Sequence, residues 1–112
     1  MTKTKGDTMK LVTKELENKF PEIYETQRQE DPIVQAKYFC PWNNWTWYAT
    51  EFDKEEGIFY GLVAGAEIEL GYFDLESFEI VTGPFGMKVE RDLYWTPTAL
   101  SEVEKMERKA RG

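Results

Sequence analysis

Apolar residues recur at every second position, or in short runs, in several segments of the chain, and this pattern predicts β-strands. The predicted strands occupy 33–39, 45–52, 58–64, 67–73 and 77–83, with a shorter extended piece within 89–95. Turn-forming residues such as Gly, Asn, Asp and Pro separate these segments, so neighbouring strands can pair directly. The pattern therefore predicts an antiparallel meander of about five strands.

One connection in this meander has a specific turn signal. The pair Gly65–Ala66 forms a two-residue loop with glycine at the first position, as a type II′ hairpin turn prefers. Apolar and acidic residues alternate in the strand that follows, so its two faces are predicted to differ. Ile68, Leu70 and Tyr72 are predicted to face the core, and Glu67 and Glu69 to face solvent.

Helical spacing appears near the two ends of the chain. Thr13 is a predicted N-cap for a short helix to Phe20, with Leu16 on the same face. A second helix, about 99–109, follows Thr96-Pro97-Thr98, and Leu100, Val103 and Met106 are predicted to form its inner face. The chain is thus predicted to be a single α+β domain over 9–112, after a flexible leader at 1–8.

Three of the four tryptophans lie in PWNNWTWYATEF, from Pro41 to Phe52. Strand alternation places Trp45, Trp47 and Ala49 on one face, and Thr46, Tyr48, Thr50 and Phe52 on the other. Because a face carrying two indoles is a large apolar liability in water, Trp45 and Trp47 are predicted to face the core. Trp42 precedes the strand in a polar loop, where we expect a partly exposed ring that can anchor a partner.

The charge of the chain is strongly uneven. The formal net charge is −7, but 1–20 carries five lysines against three acids, and 102–112 carries four basic residues against three acids. The middle, 21–101, therefore holds fifteen acids against five basic residues. Such a body repels nucleic acid, so a protein with a basic surface is the expected partner. The single cysteine (Cys40), the lack of a membrane-spanning apolar run and the lack of a signal peptide predict a cytoplasmic location without membrane association.

The sequence offers little catalytic chemistry. Histidine is absent, which excludes Ser-His and Cys-His pairs and histidine metal sites, and no glycine-rich phosphate loop is present. We therefore predict no catalytic residues, no metal and no cofactor. A carboxylate-dependent or metal-dependent enzyme is the alternative, since Glu51, Asp53, Glu55 and Glu56 surround one turn, and Glu90 and Asp92 flank Arg91.

Five segments together resemble a known family: MKLVTKELENKFPEIY, NWTWYATEFD, ELGYFDLESF, GPFGMKVERDLYW and TPTALSEVE. The order of these motifs, from Met9 to about Val103, is similar to that of a bacterial and phage family, domain of unknown function 2958. The resemblance implies an association with phages, plasmids and other mobile elements. It implies no catalytic residues.

We therefore expect a non-catalytic protein-binding domain, specifically an inhibitor of a host defence nuclease. Glu67 and Glu69 on one strand face would lie about 6.6 Å apart, which is close to the distance between successive phosphates along a DNA strand. Carboxylates with this spacing could therefore occupy a basic nucleic-acid-binding cleft. The predicted partner-binding residues are Trp42, Glu51, Asp53, Glu55, Glu56, Glu67 and Glu69. A nucleotide-binding protein is a further alternative, for which the central body supplies Arg28, Lys37, Lys54, Lys88 and Arg91.

Overall fold

The computed structural model describes residues 10–27 and 29–111, so the predicted leader lies outside the described residues. The elements are, in chain order, α1 (Lys14–Lys19), β1 (Ile33–Val34), β2 (Ala36–Phe39), β3 (Thr46–Asp53), β4 (Ile58–Ala64), β5 (Ile68–Asp74), α2 (Leu75–Ile80), a 3-10 turn (Pro84–Gly86), β6 (Glu90–Arg91), β7 (Thr98–Ala99) and α3 (Leu100–Arg111). The predicted α+β class is confirmed.

Five strands form one antiparallel sheet in the order β5-β4-β3-β2-β6, and β1 pairs with β7 in a small second sheet. The predicted strand 33–39 is divided at Gln35, whose N–H donates to the carbonyl of Ala49. Ile33 then leaves the main sheet and pairs with Ala99. The meander from β2 to β5 is as predicted, and β4 has the predicted bounds.

The segment 77–83, predicted as a strand, instead belongs in part to the helix α2. The carboxylate of Asp74 accepts hydrogen bonds from the N–H and the hydroxyl of Ser77, as an N-cap residue does. The first turn thereby becomes helical and directs Phe78 into the core. The apolar alternation of this segment was therefore the weaker signal, and the Asp-x-x-Ser cap was the stronger one.

The sheet buries apolar side chains on both faces. On the face packed by α1 and α2, which we call the α1/α2 face, the buried cluster consists of Leu11, Leu16, Phe20, Ala36, Tyr38, Cys40, Ala49, Phe52, Phe59, Phe78 and Val89. Thr13 caps α1 as predicted, since its side chain accepts a hydrogen bond from the N–H of Leu16. Cys40 is buried, as a structural thiol should be, and this burial raises its pKa.

The opposite side, which we call the α3 face, holds a smaller buried cluster of Val34, Tyr48, Leu62, Ala64 and Val103. The inner face of α3 is confirmed at Val103, whereas Met106 is half exposed. The helix begins where a residue distant in sequence caps it: the carboxylate of Asp31 accepts hydrogen bonds from the N–H and hydroxyl of Ser101. At its other end, Arg111 donates to the carbonyls of Ala64 and Gly65 in the β4–β5 hairpin.

A β-bulge in β3 changes which residues share a face. The register between β3 and β4 shifts between Ala49 and Glu51, so Thr50 is the extra residue. Phe52 therefore joins the α1/α2 face, not the Tyr48 side as strict alternation predicted. Glu51 moves to the α3 face, opposite Tyr60.

The tryptophans follow the predicted faces only in part. Trp45 lies just before β3 and is 39% exposed, so its prediction as a core residue is wrong. Trp47 is half-buried and packs against the core, with its ring 4.9 Å from that of Phe78. Trp42 is half-buried in the preceding loop.

The β4–β5 connection also differs from the prediction. Ala64 pairs with Ile68, which leaves a three-residue loop closed by a hydrogen bond from the N–H of Gly65 to the carbonyl of Glu67. Because Gly65 does not have the positive φ of a type II′ turn, that turn type is wrong. Leu70 and Tyr72 are 51% and 52% exposed, since α3 leaves the outer part of β5 uncovered.

Candidate functional site

Glu51 is a fully buried carboxylate at the centre of the candidate site. Its oxygens accept hydrogen bonds from the N–H groups of Tyr24 and Thr26, at 2.8 and 2.6 Å. The Thr26 hydroxyl and the Gln27 side-chain amide also donate to it. Four donors therefore satisfy one carboxylate, and together they hold the segment after α1 against β3.

This anchoring removes Glu51 from the set of predicted partner-binding residues. A side chain with no exposed surface cannot contact a partner in this fold. Its role is to fix the loop that carries Tyr24, and a second hydrogen bond, from the N–H of Phe52 to the carbonyl of Pro21, holds the same loop.

Tyr24 is held in a conformation that a large side chain rarely adopts. Its φ is +75°, in the left-handed region, and its side chain is 69% exposed. The ring reaches the β5 edge of the sheet, where a hydrogen bond with Tyr72 raises the pKa of Tyr24. Tyr72 in turn packs edge-to-face on Tyr60, with ring centroids 4.9 Å apart. Strain of this kind, imposed by the surrounding structure, concentrates at functional sites.

One side of this loop forms an acidic cleft of about 590 Å³. Its lining residues are Glu17, Asn18, Phe20, Glu22, Ile23, Tyr24, Phe52, Asp53, Lys54 and Glu55. The floor is aromatic, since the rings of Phe20 and Phe52 meet with centroids 5.6 Å apart. Four carboxylates and one lysine surround that floor, so the cleft favours a cationic group with an apolar stem.

The predicted acidic turn provides one wall of this cleft. Asp53 is half-buried, and its carboxylate accepts hydrogen bonds from the N–H groups of Glu55 and Glu56 within the turn. Both glutamates are exposed, and Glu55 lines the cleft. The structure thus assigns Asp53 to shaping the turn and leaves Glu55 and Glu56 available at the surface.

The other cleft acids escaped prediction because they come from a distant part of the chain. Glu17 belongs to α1 and Glu22 follows Pro21, about thirty residues before the turn at 53–57. Only the folding of the 20–27 loop against β3 brings them to Glu55. Nothing local in the sequence predicts that contact. Glu51 was nevertheless a usable signal of a buried anchor, because it lies between Thr50 and Phe52 inside a strand whose other acid, Asp53, is its last residue.

The predicted residues Glu67 and Glu69 lie elsewhere, at the β4–β5 hairpin and on the edge strand β5, and both are exposed. They belong to a longer acidic stretch, since 55–87 contains seven carboxylates and no Lys or Arg. Six of the seven are exposed and Asp74 is half-buried.

Trp42 lies apart from the acidic cleft and supports another loop. Its indole lies against Gly83 so closely that a Cβ at that position would come within 2.3 Å of the ring. This contact holds the turn at 84–86, where Phe85 is fully exposed with a φ of +58°. The role of Trp42 as a partner contact stays a prediction, and the structure adds a supporting role.

The basic and metal-ligating groups of the alternative functions are dispersed. Lys37 pairs with Asp92, and Lys88 donates to the Glu79 carbonyl and the Thr82 hydroxyl, while Arg28 is outside the described residues. Within 10–27 and 29–111, no three Asp, Glu or Cys side chains converge in a way that could hold a metal ion. The acids at 51–56 are thus divided between a buried anchor, a turn cap and two surface positions.

Fold and cleft together define a small α+β domain with an acidic, aromatic-floored surface cleft. The chain belongs to the family described as protein of unknown function (DUF2958), whose model matches residues 6–111. This match confirms the family resemblance. No curated protein and no solved structure matches the chain. Among the described residues, the helices are too short or too polar to cross a membrane.

Proposed function

We propose that this domain binds a protein partner through the acidic cleft, which receives Lys or Arg side chains of a basic surface. The observation that carries the proposal is the combination of carboxylate walls with an aromatic floor in one cleft. Carboxylates attract the charged head of a basic side chain, and aromatic rings accommodate its alkyl stem and favour cations over their faces.

The partner we propose is a nucleic-acid-binding protein of a host defence system, because such proteins expose basic clefts that match an acidic surface. A mobile-element protein that occupies such a cleft would inhibit the nuclease by excluding its nucleic acid. The seven carboxylates within 55–87 support this form of the proposal, since they extend the acidic surface beyond the cleft.

The test is affinity capture from host lysate, followed by identification of the captured proteins and measurement of their affinity. The cleft variant is Glu17→Gln/Glu22→Gln/Glu55→Gln, which removes three charges and keeps the side-chain shapes. We expect it to weaken capture of a basic, nucleic-acid-binding protein by about tenfold or more, with a loss that shrinks as salt is raised.

The matched control, Glu30→Gln/Glu102→Gln/Glu104→Gln, removes three charges outside the cleft, two exposed and one half-buried, as in the cleft variant. We expect it to capture the partner as the wild type does. The proposal is wrong if no basic protein is captured, or if both triple variants behave alike.

A further inference from the structure

The two edges of the main sheet are unlike each other. One edge is β6, with two residues, and the other is β5, with seven. Within the described part of the chain, the strand order gives β5 a single partner strand, β4. An edge strand of this length presents a row of outward-pointing N–H and C=O groups that another strand can pair with.

β5 also lacks several of the devices that usually block such pairing. It contains no proline and no lysine, and its register with β4 is regular from Ile68 to Asp74. A Cβ added at Gly71 would meet no atom within 4 Å, so the α1/α2 face of the strand is open at this position. The edge therefore keeps a regular backbone and lacks the proline and lysine that would oppose pairing.

The side chains of β5 differ between the two faces, and this difference specifies the partner. On the α3 face, Leu70 and Tyr72 are half exposed and continue into Tyr24. On the α1/α2 face, Glu69 is exposed, and neither β5 nor the helix α2 that follows it carries a basic residue. A strand lying beside β5 would place alternate side chains next to Leu70 and Tyr72 on one face. On the other face its side chains would lie next to Glu69, Gly71 and Phe73, where Glu69 supplies the charge.

We propose that β5 pairs with an extended segment of the basic partner in which apolar residues alternate with Lys or Arg. This inference rests on the proposed function and names its mode of recognition: main-chain hydrogen bonds to β5 supply affinity, and the alternation supplies specificity. The apolar side chains pack on Leu70 and Tyr72, and the basic side chains face Glu69. Because the chain itself is strongly acidic, a second copy is disfavoured electrostatically as the occupant.

The first experiment uses a synthetic peptide of seven residues, matched to the length of β5, in which Val and Lys alternate. Amide hydrogen exchange of the full chain is followed by NMR with and without the peptide. We expect slowed exchange at alternate amides of β5, the ones that point away from β4. A peptide of the same composition with all Val before all Lys, and an alternating Val-Glu peptide, should give no protection.

Variants of the full chain complete the test. Glu69→Lys reverses the charge on the acidic side, and Leu70→Ser removes an apolar contact, so each should weaken peptide binding by about tenfold or more. Glu102→Lys, an equivalent charge reversal on the exposed face of α3, should bind as the wild type does. Absence of protection up to millimolar peptide, or equal binding by the β5 variants, would overturn the inference.

The outcome separates this inference from the proposed function. If the captured partner binds the β5 variants as tightly as the wild type but loses affinity for the cleft variant, the cleft function stands and edge pairing fails. If the peptide protects β5 while the cleft variant captures the partner normally, edge pairing stands and the cleft function fails. Protection of β5 that appears without peptide as the protein is concentrated would assign the edge to a second copy and overturn the inference.

Discussion

At the scale of single residues, Glu51 is the most consequential side chain of the candidate site. A buried carboxylate is tolerable only when donors satisfy its oxygens, and here those donors come from the loop that positions Tyr24. The residue links the stability of the fold to the geometry of the candidate site, because the shape of the cleft and the placement of the tyrosine depend on it.

We expect Glu51→Ala to reduce the free energy of unfolding by about 3 kcal/mol or more, since it leaves several buried donors without an acceptor. Urea unfolding measures this loss, and limited proteolysis within 22–27 should become faster. The control is Glu55→Ala, which removes an exposed carboxylate from the same turn region and should change stability by no more than about 0.5 kcal/mol. Equal effects of the two substitutions would contradict the anchoring role.

Two glycines that pair across the sheet offer a second residue-scale test. Gly61 and Gly71 are opposite each other on β4 and β5. A Cβ at Gly61 would lie 1.8 Å from the carbonyl oxygen of Tyr48, whereas a Cβ at Gly71 has open space. We expect Gly61→Ala to destabilise the fold by about 3 kcal/mol, because central-strand backbone must move.

For Gly71→Ala, the expected change is neutral or a gain of up to about 1 kcal/mol, since alanine loses less conformational entropy than glycine on folding. Thermal or chemical unfolding of the two variants side by side measures the difference. A destabilisation of Gly71→Ala as large as that of Gly61→Ala would show that the sheet face at Gly71 is covered.

At the scale of elements, α3 depends on a cap from outside its own sequence. The hydroxyl of Ser101, and then its N–H, lower the pKa of Asp31 below its ordinary value of 3.8. A carboxyl group whose pKa is lower in the folded than in the unfolded state stabilises the protein at pH values above its unfolded-state pKa. This stabilisation disappears as the pH falls through the folded-state pKa.

We therefore expect Asp31→Asn to be less stable than the wild type at neutral pH, with a difference that shrinks as the pH falls below about 4. Urea unfolding across this pH range provides the measurement. Ser101→Ala removes the main cause of the shift, so the acid-sensitive range of that variant should move toward the ordinary pKa of Asp31. A pH-independent difference between wild type and Asp31→Asn would disprove the linkage.

At the scale of the whole molecule, two apolar clusters share one sheet. Alternate residues of β3 and β4 enter opposite clusters: Ala49 and Phe59 face α1 and α2, and Tyr48 and Leu62 face α3. Neither cluster can lose its strands without disrupting the other, so the domain should unfold as one unit.

Incorporation of 5-fluorotryptophan tests this cooperativity, because the indoles report on both faces. Trp47 packs against the α1/α2 cluster, and Trp95 packs against the α3 cluster and donates to the Val34 carbonyl. We expect the native fluorine signals of both residues to disappear with the same urea midpoint. Separate midpoints would show that the α3 face is an independent unit.

The sequence predicted those features whose causes are local. α1 follows from the Thr13 cap and the spacing of Leu16 and Phe20, and β4 follows from a short apolar run between turn signals. Prediction from the sequence failed where two local signals competed. At α2, the N-cap formed by Asp74 favoured a helix, and this signal prevailed over the apolar alternation that predicted a strand. For the site, it located the acidic turn at 53–56 but not the opposite wall of the cleft.

The amino-acid sequence by itself determined the α+β class, the meander of β2 to β5, the negative charge of residues 21–101 and the absence of histidine from the chain. Each depends on composition or on spacing within a few residues. Tertiary structure alone decided the bulge at Thr50, the donors that satisfy Glu51, the exposure of Trp45 and the joining of α1 to the 53–57 turn. The physical reason is that burial and hydrogen-bond satisfaction are set by contacts between residues far apart in the chain, which local periodicity does not encode.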